Sequence, residues 1–294
     1  MATRRRPAGD PPATGNGAAR RKNGKAGRGR RRYSWPVAVR SRRDRVALVI
    51  PAWNEAGAIG DVLANVPPDA VDWVFVVAGA STDGTAEIAR ANGATVLGQA
   101  RPGYGAACWA GARAAADAGA DVIAFLDGDF SDPPAALPRV LAPVLEGRAD
   151  LALGWRRPDP AAGPHPLPFH ARLGNRLVLT LLAFRLGHRL HDLPSCKAIR
   201  RGALESLQMG EMTYGWTTEL VVKAIRAGLR LAEVPVDYRP RLAGQSKVSG
   251  TLRGSAGAAW KLVTCAARYA SWTPAAPAPG AAGPSGSAVP EGAR

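Results

Sequence analysis

The amino-acid sequence predicts an α/β fold in which helices cover both faces of a mostly parallel β-sheet. Short apolar runs alternate with helical patterns through the first half of the chain. These runs lack the polar–apolar alternation of a half-exposed strand, and strands buried on both faces of a parallel sheet have this composition. Because ligands bind at the carboxyl ends of the strands in such sheets, functional residues are expected there.

The elements follow one another in a regular order at first. Strands are predicted at 46–50, 73–77, 94–97, 122–126 and 151–154, and helices between them at 55–66, 85–92, 104–118 and 134–146. The second half is less regular, with helices predicted at 173–186, 216–227 and 251–269 and a strand at 229–238. No internal repeat is visible, so the sequence predicts one domain rather than a repeat array.

The formal net charge of +16 is concentrated at one end of the chain. Residues 1–45 contain 15 basic and two acidic residues, whereas the remainder is nearly balanced, with 24 and 21. We predict a disordered basic tail at 1–44, a folded domain at 45–271 and a second disordered tail, rich in Pro, Ala and Gly, at 272–294. The basic tail fits a solubilising extension, an anionic membrane surface or nucleic acid bound without sequence preference.

Localisation is constrained by what the sequence lacks. No secretory signal, no apolar stretch of membrane-spanning length and no disulfide or zinc pattern is visible, since Cys108, Cys196 and Cys265 are far apart. We expect a cytoplasmic protein with peripheral contact at the inner face of the cell membrane. The apolar segment 173–186, flanked by arginines, fits either an interfacial helix or an ordinary buried helix. No standard nucleic-acid motif is present, so specific nucleic-acid binding is not expected.

The most specific chemical signal is Asp127-Gly128-Asp129, directly after the strand at 122–126. Two carboxylates at the end of a buried strand provide the hard oxygen ligands that Mg²⁺ and Mn²⁺ prefer. Asp-Gly is also a common turn dipeptide, so this motif alone does not establish a metal site. Polar or glycine-rich segments follow three other strands, at 51–55, 78–85 and 101–107, although Asn54 and Asp83 are equally suited to cap helices.

Several of these motifs, taken in order, resemble glycosyltransferase family 2 and, within it, the dolichyl-phosphate mannose synthase group. They are Val49-Ile50-Pro51-Ala52-Trp53-Asn54-Glu55, Ser81-Thr82-Asp83-Gly84-Thr85 and Asp127-Gly128-Asp129. The resemblance extends from about Val46 to Lys261 and includes the segments 154–156, 172–175, 198–201, 215–219, 233–235 and 241–247. It implies a GT-A fold and an inverting, metal-dependent transfer of mannose or glucose from a GDP- or UDP-sugar to polyprenyl phosphate.

The resemblance also implies the residues of the site. The nucleotide-sugar would contact Pro51, Asn54, Glu55, Ala78, Gly105, Asp127, Gly128 and Asp129, with Mg²⁺ or Mn²⁺ between the two aspartates and the diphosphate. The acceptor phosphate would contact Arg156, Arg172, Lys197, Glu219, Arg241, Ser246 and Lys247. Asp127, Asp129, Arg241 and Lys247 are expected to be catalytic. Glu219 either orients the acceptor or pairs with a neighbouring cation.

The chain departs from the family pattern at Ala78, where the family usually has an Asp that accepts hydrogen bonds from the donor base. An unpaired base N–H would cost roughly 1–3 kcal/mol. Another acceptor therefore replaces the carboxylate, the donor differs, or activity is weak. Cys196 also stands where an aromatic residue is commoner, and the transmembrane segments of some relatives are absent. Transfer to a small phosphorylated acceptor and a binding module without activity remain as alternative functions.

Overall fold

The computed structural model describes residues 44–79, 81–158, 169–244 and 252–274. Within them lies a seven-stranded sheet in the order β3-β2-β1-β4-β6-β5-β7. The strands are β1 Val46–Pro51, β2 Trp73–Val77, β3 Thr95–Leu97, β4 Val122–Phe125, β5 Leu151–Pro158, β6 Lys197–Arg200 and β7 Leu231–Tyr238. Four of the six strand pairs are parallel, and β6 runs antiparallel to both of its neighbours, β4 and β5. The predicted, mostly parallel α/β sheet is confirmed.

Eight α-helices accompany the sheet in the described part of the chain. They are α1 Ile59–Ala64, α2 Thr85–Ala91, α3 Tyr104–Asp117, α4 Leu137–Leu145, α5 Phe169–Leu186, α6 Arg201–Ser206, α7 Trp216–Arg226 and α8 Leu252–Tyr269. Apolar residues of α1, α2 and α4 pack in one cluster on one face of the sheet, and those of α3, α6 and α7 pack in a second cluster on the other. A third, smaller cluster joins α5, α7 and α8.

Two elements were not predicted, the strand β6 and the helix α6. β6 contains only four residues, Lys-Ala-Ile-Arg, and α6 follows it directly. A strand with charged residues at both ends and one large apolar side chain carries no periodic signal. Its pairing with β4 sets Phe125 beside Lys197, which brings a buried lysine under the end of β4.

The last described residues also pack against the domain. The Lys223 ammonium lies over the rings of Tyr269 and Trp272, 4.8 and 5.1 Å from their centroids. The Trp272 carbonyl accepts a hydrogen bond of 3.1 Å from Arg226 Nε. The contacts of the domain therefore continue past the predicted boundary at 271.

The packing of α3 against β1 depends on a glycine, Gly111. A methyl group at this position would overlap the side chain of Val49, whereas nothing lies near such a group at Gly202 of α6. We expect Gly111→Ala to lower the free energy of unfolding by about 1–3 kcal/mol, because the buried contact between α3 and β1 must open. Urea denaturation would measure the change.

Gly202→Ala is the matched control, since it makes the same chemical change on an exposed helix. It should leave stability unchanged or raise it by up to about 1 kcal/mol through helix propensity. Equal behaviour of the two variants would contradict the close approach of α3 to β1.

Candidate active site

Three loops meet at the carboxyl ends of β1, β2 and β4. Pro51, the last residue of β1, pairs with Val77 at the end of β2, and Ala52 N donates to the Val77 carbonyl at 2.9 Å. On the other side of β1, Leu126 N donates to the Val49 carbonyl at 3.1 Å, just before Asp127. The structure thus brings the segments 51–55, 78–79 and 127–129 together at one edge, as parallel pairing requires.

Hydrogen bonds between side chains and backbone fix the loops after β1 and β2. Asn54 has a φ of 52°, and its side-chain oxygen accepts a hydrogen bond of 2.9 Å from Thr82 N. The Asn54 backbone N–H donates to Ser81 Oγ at 3.0 Å. Glu55 N donates to Thr85 Oγ1 at 2.9 Å. Asn54 therefore ties two loops together, and its backbone conformation suits asparagine better than most residues.

The loop after β4 is held by its own second carboxylate. Ser131 donates to Asp129 Oδ1 through its backbone N–H at 2.9 Å and through its hydroxyl at 2.7 Å. Phe130, between them, has a φ of 65°. This turn orients the Asp129 carboxylate, and Asp132, three residues on, is fully buried and accepts a hydrogen bond from Ser195 Oγ.

The carboxylates of Asp127, Asp129 and Asp132 repel one another in a buried environment. Burial, with repulsion from Asp129 and Asp132, raises the pKa of Asp127 to about 7. Burial raises the pKa of Asp132 to about 6, although the charge of Arg156 opposes the shift. Asp127 Oδ1 is buried and makes no hydrogen bond within the described structure. A cation bound beside Asp127 would lower this pKa and stabilise the ionised carboxylate.

A divalent cation fits this set of oxygens. The orphaned Asp127 oxygen and the oriented Asp129 carboxylate are hard ligands of the type that Mg²⁺ and Mn²⁺ take. No cluster of three or more His, Cys, Asp or Glu side chains surrounds a common metal position among the described residues. Substrate phosphate and water would therefore complete the coordination, as is usual for Mg²⁺.

Arg241 bridges the loops after β1 and β4. Its Nη2 lies 2.8 Å from Glu55 Oε1 and 3.0 Å from Asp129 Oδ2. The backbone beside it is also attached, because Leu242 N donates to the Asp129 carbonyl at 3.1 Å and Arg239 N to the Ser131 carbonyl at 3.0 Å. Ser246 and Lys247, predicted to act with Arg241, lie outside the described residues.

A basic cavity of about 590 Å³ lies beside this edge. Its walls come from α5, from the chain before β6 and from the ends of β5 and β7: Arg156, Arg172, Asn175, Arg176, Leu179, Thr180, Ala183, Arg189, Leu190, His191, Asp192 and Tyr238. Four arginines and one aspartate give it a positive charge, which suits an anionic ligand.

Arg156 lies between this basic cavity and the carboxylate loop: it lines the cavity, and its charge acts on Asp132. Its guanidinium makes two hydrogen bonds to Asp192, of 2.6 and 2.8 Å, and its backbone N–H makes a third of 3.1 Å. The guanidinium also lies over the Tyr238 ring at 5.2 Å. Asn175 donates to the same carboxylate at 2.9 Å. Burial alone would raise the pKa of Asp192, but the charge and hydrogen bonds of Arg156 lower it overall. Arg156 is therefore held at the cavity wall.

The structure does not support direct substrate contact for three predicted residues. Glu219 is fully buried, lies 2.7 Å from Lys223 and accepts hydrogen bonds from the backbone of Gly210 and Glu211. The second alternative, pairing with a cation, is therefore the one seen. Gly105 packs against the backbone of 211–212, where a side chain would not fit, so its predicted nucleotide contact is replaced by close packing.

Lys197 is the third predicted site residue for which the structure does not support direct substrate contact. It has no exposed surface, and its ammonium donates to the carbonyls of Pro194 and Ser195 at 3.0 and 2.7 Å. Burial lowers its pKa. The predicted contact of Lys197 with the acceptor is therefore wrong. The lysine is instead a buried cation near Asp127, and its positive charge partly balances that carboxylate.

Sequence reasoning missed Asp132, Asp192 and the arginines of the basic cavity at 176 and 189. Asp132 carried a signal, as a third carboxylate within six residues of Asp127. Asp192 carried no such signal, because its role is to bind the Arg156 guanidinium, and Arg156 is 36 residues away in the chain.

Known proteins share both the sequence pattern and this architecture. A sequence model described as Glycosyl transferase family 2 matches residues 47–208. An uncharacterised glycosyltransferase of Mycobacterium tuberculosis is 41% identical over 75% of this chain and 99% of the relative. The dolichyl-phosphate hexose transferase of Haloferax volcanii is 35% identical over 72% of this chain and 90% of its own. An undecaprenyl-phosphate mannosyltransferase of Micrococcus luteus is 33% identical over the same shares.

Solved structures of glucosyl-3-phosphoglycerate synthase from Mycobacterium tuberculosis are also similar. The complex with Mn²⁺, UDP and glucosyl-3-phosphoglycerate superimposes with a TM-score of 0.64 and 26% identity, over 78% of this chain and 80% of that one. The sequence match covers more than half of the chain and includes the strand-end motifs of the site. This protein is therefore an enzyme with a GT-A fold and belongs to glycosyltransferase family 2.

Proposed function

We propose that this glycosyltransferase moves a hexose, mannose or glucose, from a GDP- or UDP-sugar to polyprenyl phosphate at a membrane surface. One observation carries the proposal: a crowded carboxylate loop adjoins a cavity lined by four arginines. The carboxylates suit a metal–diphosphate donor, and the arginines suit an anionic acceptor. The names of the Haloferax volcanii and Micrococcus luteus relatives support a polyprenyl-phosphate acceptor.

The donor side follows from the loop geometry. Asp127 and Asp129 would hold a divalent cation, which supplies positive charge to the departing diphosphate. Complexes of the structural relatives with Mn²⁺ and UDP support this arrangement. Arg241 already touches Glu55 and Asp129, so its guanidinium is within reach of phosphate and ribose oxygens at the same edge. Glu55 would accept hydrogen bonds from ribose hydroxyls.

The acceptor side follows from charge. A phosphate monoester is ionised near neutral pH, so its oxygen can attack the anomeric carbon without a strong general base. The bond from that carbon to the diphosphate breaks as the new bond forms on the opposite face, which inverts the configuration. Arg156 and the neighbouring arginines of the basic cavity would hold the phosphate and lower its repulsion from the donor.

The outer face of α5 supports a lipid acceptor. Leu173, Leu177 and Phe184 are 58, 60 and 84% exposed and, at spacings of four and seven residues, share one helix face, which we term the apolar ridge. α8 packs against α5 and exposes 71% of Trp260. Exposed apolar side chains next to arginines are typical of helices that lie in a membrane interface. None of the described helices is long and apolar enough to cross a membrane.

A small phosphorylated acceptor is the second candidate. The structural relatives are named for glucosyl-3-phosphoglycerate and were solved with it and with phosphoglyceric acid. The basic cavity, at about 590 Å³, is large enough for such an acid. Transfer to phosphoglycerate without lipid would favour this function over the first.

The first prediction concerns the metal site. Asp127→Asn should abolish metal-dependent nucleotide binding in calorimetry and reduce transfer on the order of a hundredfold or more. The metal-free variant should unfold at the same or a higher temperature than the wild type at pH 8. The reason is that the pKa of Asp127 is raised from 3.8 to about 7, so its ionisation costs stability that is lost progressively between these two pH values and is fully lost at pH 8.

Asp61→Asn on the exposed surface of α1 is the control, and should change neither property. Retained metal-dependent binding in Asp127→Asn would show that the carboxylate pair is not the metal site.

The second prediction concerns the acceptor. Arg176→Ala should raise KM for polyprenyl phosphate about tenfold while leaving the donor KM unchanged, because one charged hydrogen bond is lost. Arg113→Ala, which removes an exposed helical arginine outside the basic cavity, is the control. Equal effects of the two substitutions would place the acceptor elsewhere.

The third prediction concerns the apolar ridge. The double variant Leu177→Ser with Phe184→Ser should bind vesicles containing anionic lipid at least about tenfold more weakly, since two apolar side chains no longer enter the interface. Turnover of a short-chain, water-soluble polyprenyl phosphate should not change. Unaltered vesicle binding would mean that another part of the chain, such as the basic tail, makes the membrane contact.

A further inference from the structure

We infer that Gln99 reads the base of the donor nucleotide in place of the missing carboxylate at position 78, and that it selects uracil. This inference rests on the proposed function, because it concerns the nucleotide of the same donor. It chooses among the explanations for Ala78: another acceptor has replaced the aspartate.

Gln99 lies next to the end of β2, although it follows β3. Ala78 N donates to the Leu97 carbonyl at 3.2 Å, which holds the two strand ends together, and Gln99 comes two residues later. The next residue, Gly79, has a φ of 53°, and a Cβ built on it would lie 3.2 Å from both Cδ and Oε1 of Gln99. The amide therefore occupies space that a side chain at 79 would fill.

The orientation of this amide is fixed by a hydrogen bond. Gln99 Nε2 lies 3.0 Å from the carbonyl oxygen of Arg101. A carbonyl only accepts, so the nitrogen faces Arg101 and Oε1 lies on the opposite side of the amide. The whole amide lies against Gly79, since a Cβ built there would be 3.2 Å from Oε1 and 3.5 Å from Nε2. No hydrogen bond to Oε1 is seen among the residues that the structure describes. The result is one neutral acceptor beside Ala78.

Neighbouring polar side chains are already committed. Ser81 Oγ donates to the Ala78 carbonyl at 2.6 Å and accepts from Asn54 N. The two oxygens of Asp83 accept from Ala56 N and from Thr85. Both residues hold the loops in place, so Gln99 is better placed than either to receive a base.

A single acceptor matches uracil better than guanine. The Watson–Crick edge of uracil presents one N–H, at N3, between two carbonyl oxygens. Guanine presents two adjacent donors, N1–H and the exocyclic amine, which a carboxylate with two oxygens can satisfy together. One amide oxygen would leave a guanine donor unpaired, and an unpaired buried donor weakens binding.

Calorimetry on the full chain with Mn²⁺ tests this inference. The wild type should bind UDP at least about tenfold more tightly than GDP. Gln99→Ala should weaken UDP binding about three- to tenfold and leave the binding of inorganic pyrophosphate unchanged, because only the base contact is lost. Ala78→Asp in the Gln99→Ala background should restore nucleotide affinity and shift preference toward GDP. Thr95→Ala, an exposed position of β3, is the control.

The outcomes separate the inference from the function on which it rests. Tighter binding of GDP than UDP by the wild type, or equal losses of UDP and pyrophosphate affinity in Gln99→Ala, would overturn the role of Gln99 and leave the glycosyltransferase proposal intact. Absence of metal-dependent binding of any nucleotide to the wild type would overturn both.

Discussion

The candidate active site depends on the crowding of carboxylates at the end of β4. Asp127, Asp129 and Asp132 lie within six consecutive residues. Burial, together with repulsion between the carboxylates, raises the pKa of Asp127 and Asp132. Close carboxylates resist ionising together unless positive charge is supplied. Each cation around the loop answers this need: Lys197 is buried near Asp127, and Arg241 lies against Asp129.

The less regular half of the fold supplies these cations. The antiparallel strand β6 pairs with β4 so that Lys197 lies beside Phe125, two residues before Asp127. The chain after β7 carries Arg241 back over the β4 loop, and Arg156, near the end of β5, contacts Asp192 and lines the basic cavity. The parallel half carries the loops at which we propose that the donor binds, and the other half carries the balancing charge and the basic cavity proposed for the acceptor. Because a metal–nucleotide complex at this site would bind only the folded state, its binding would also stabilise the fold.

Much of this site was predictable, because parallel strands bring their carboxyl ends to one edge whatever the loops contain. Asn54, Glu55, Asp127 and Asp129 were placed correctly at that edge on this basis. Lys197 was not, and the choice between the two roles left open for Glu219 could not be made, since only tertiary packing determines that a charged side chain is buried and paired. The contact between Arg241 and Glu55 joins residues 186 positions apart, and local pattern carries no information about it. The position of Gln99 carried no signal either, because it follows β3 in the chain but lies beside the end of β2.

We propose above all that the carboxylate loop after β4 binds a metal together with the donor diphosphate. A crystal structure with Mn²⁺ and UDP, recorded where manganese scatters anomalously, tests it most directly. We expect an anomalous peak between the Asp129 carboxylate and the diphosphate, with Arg241 turned from the carboxylates toward phosphate oxygens. A peak elsewhere, or UDP bound with Arg241 still pairing Glu55 and Asp129, would contradict it.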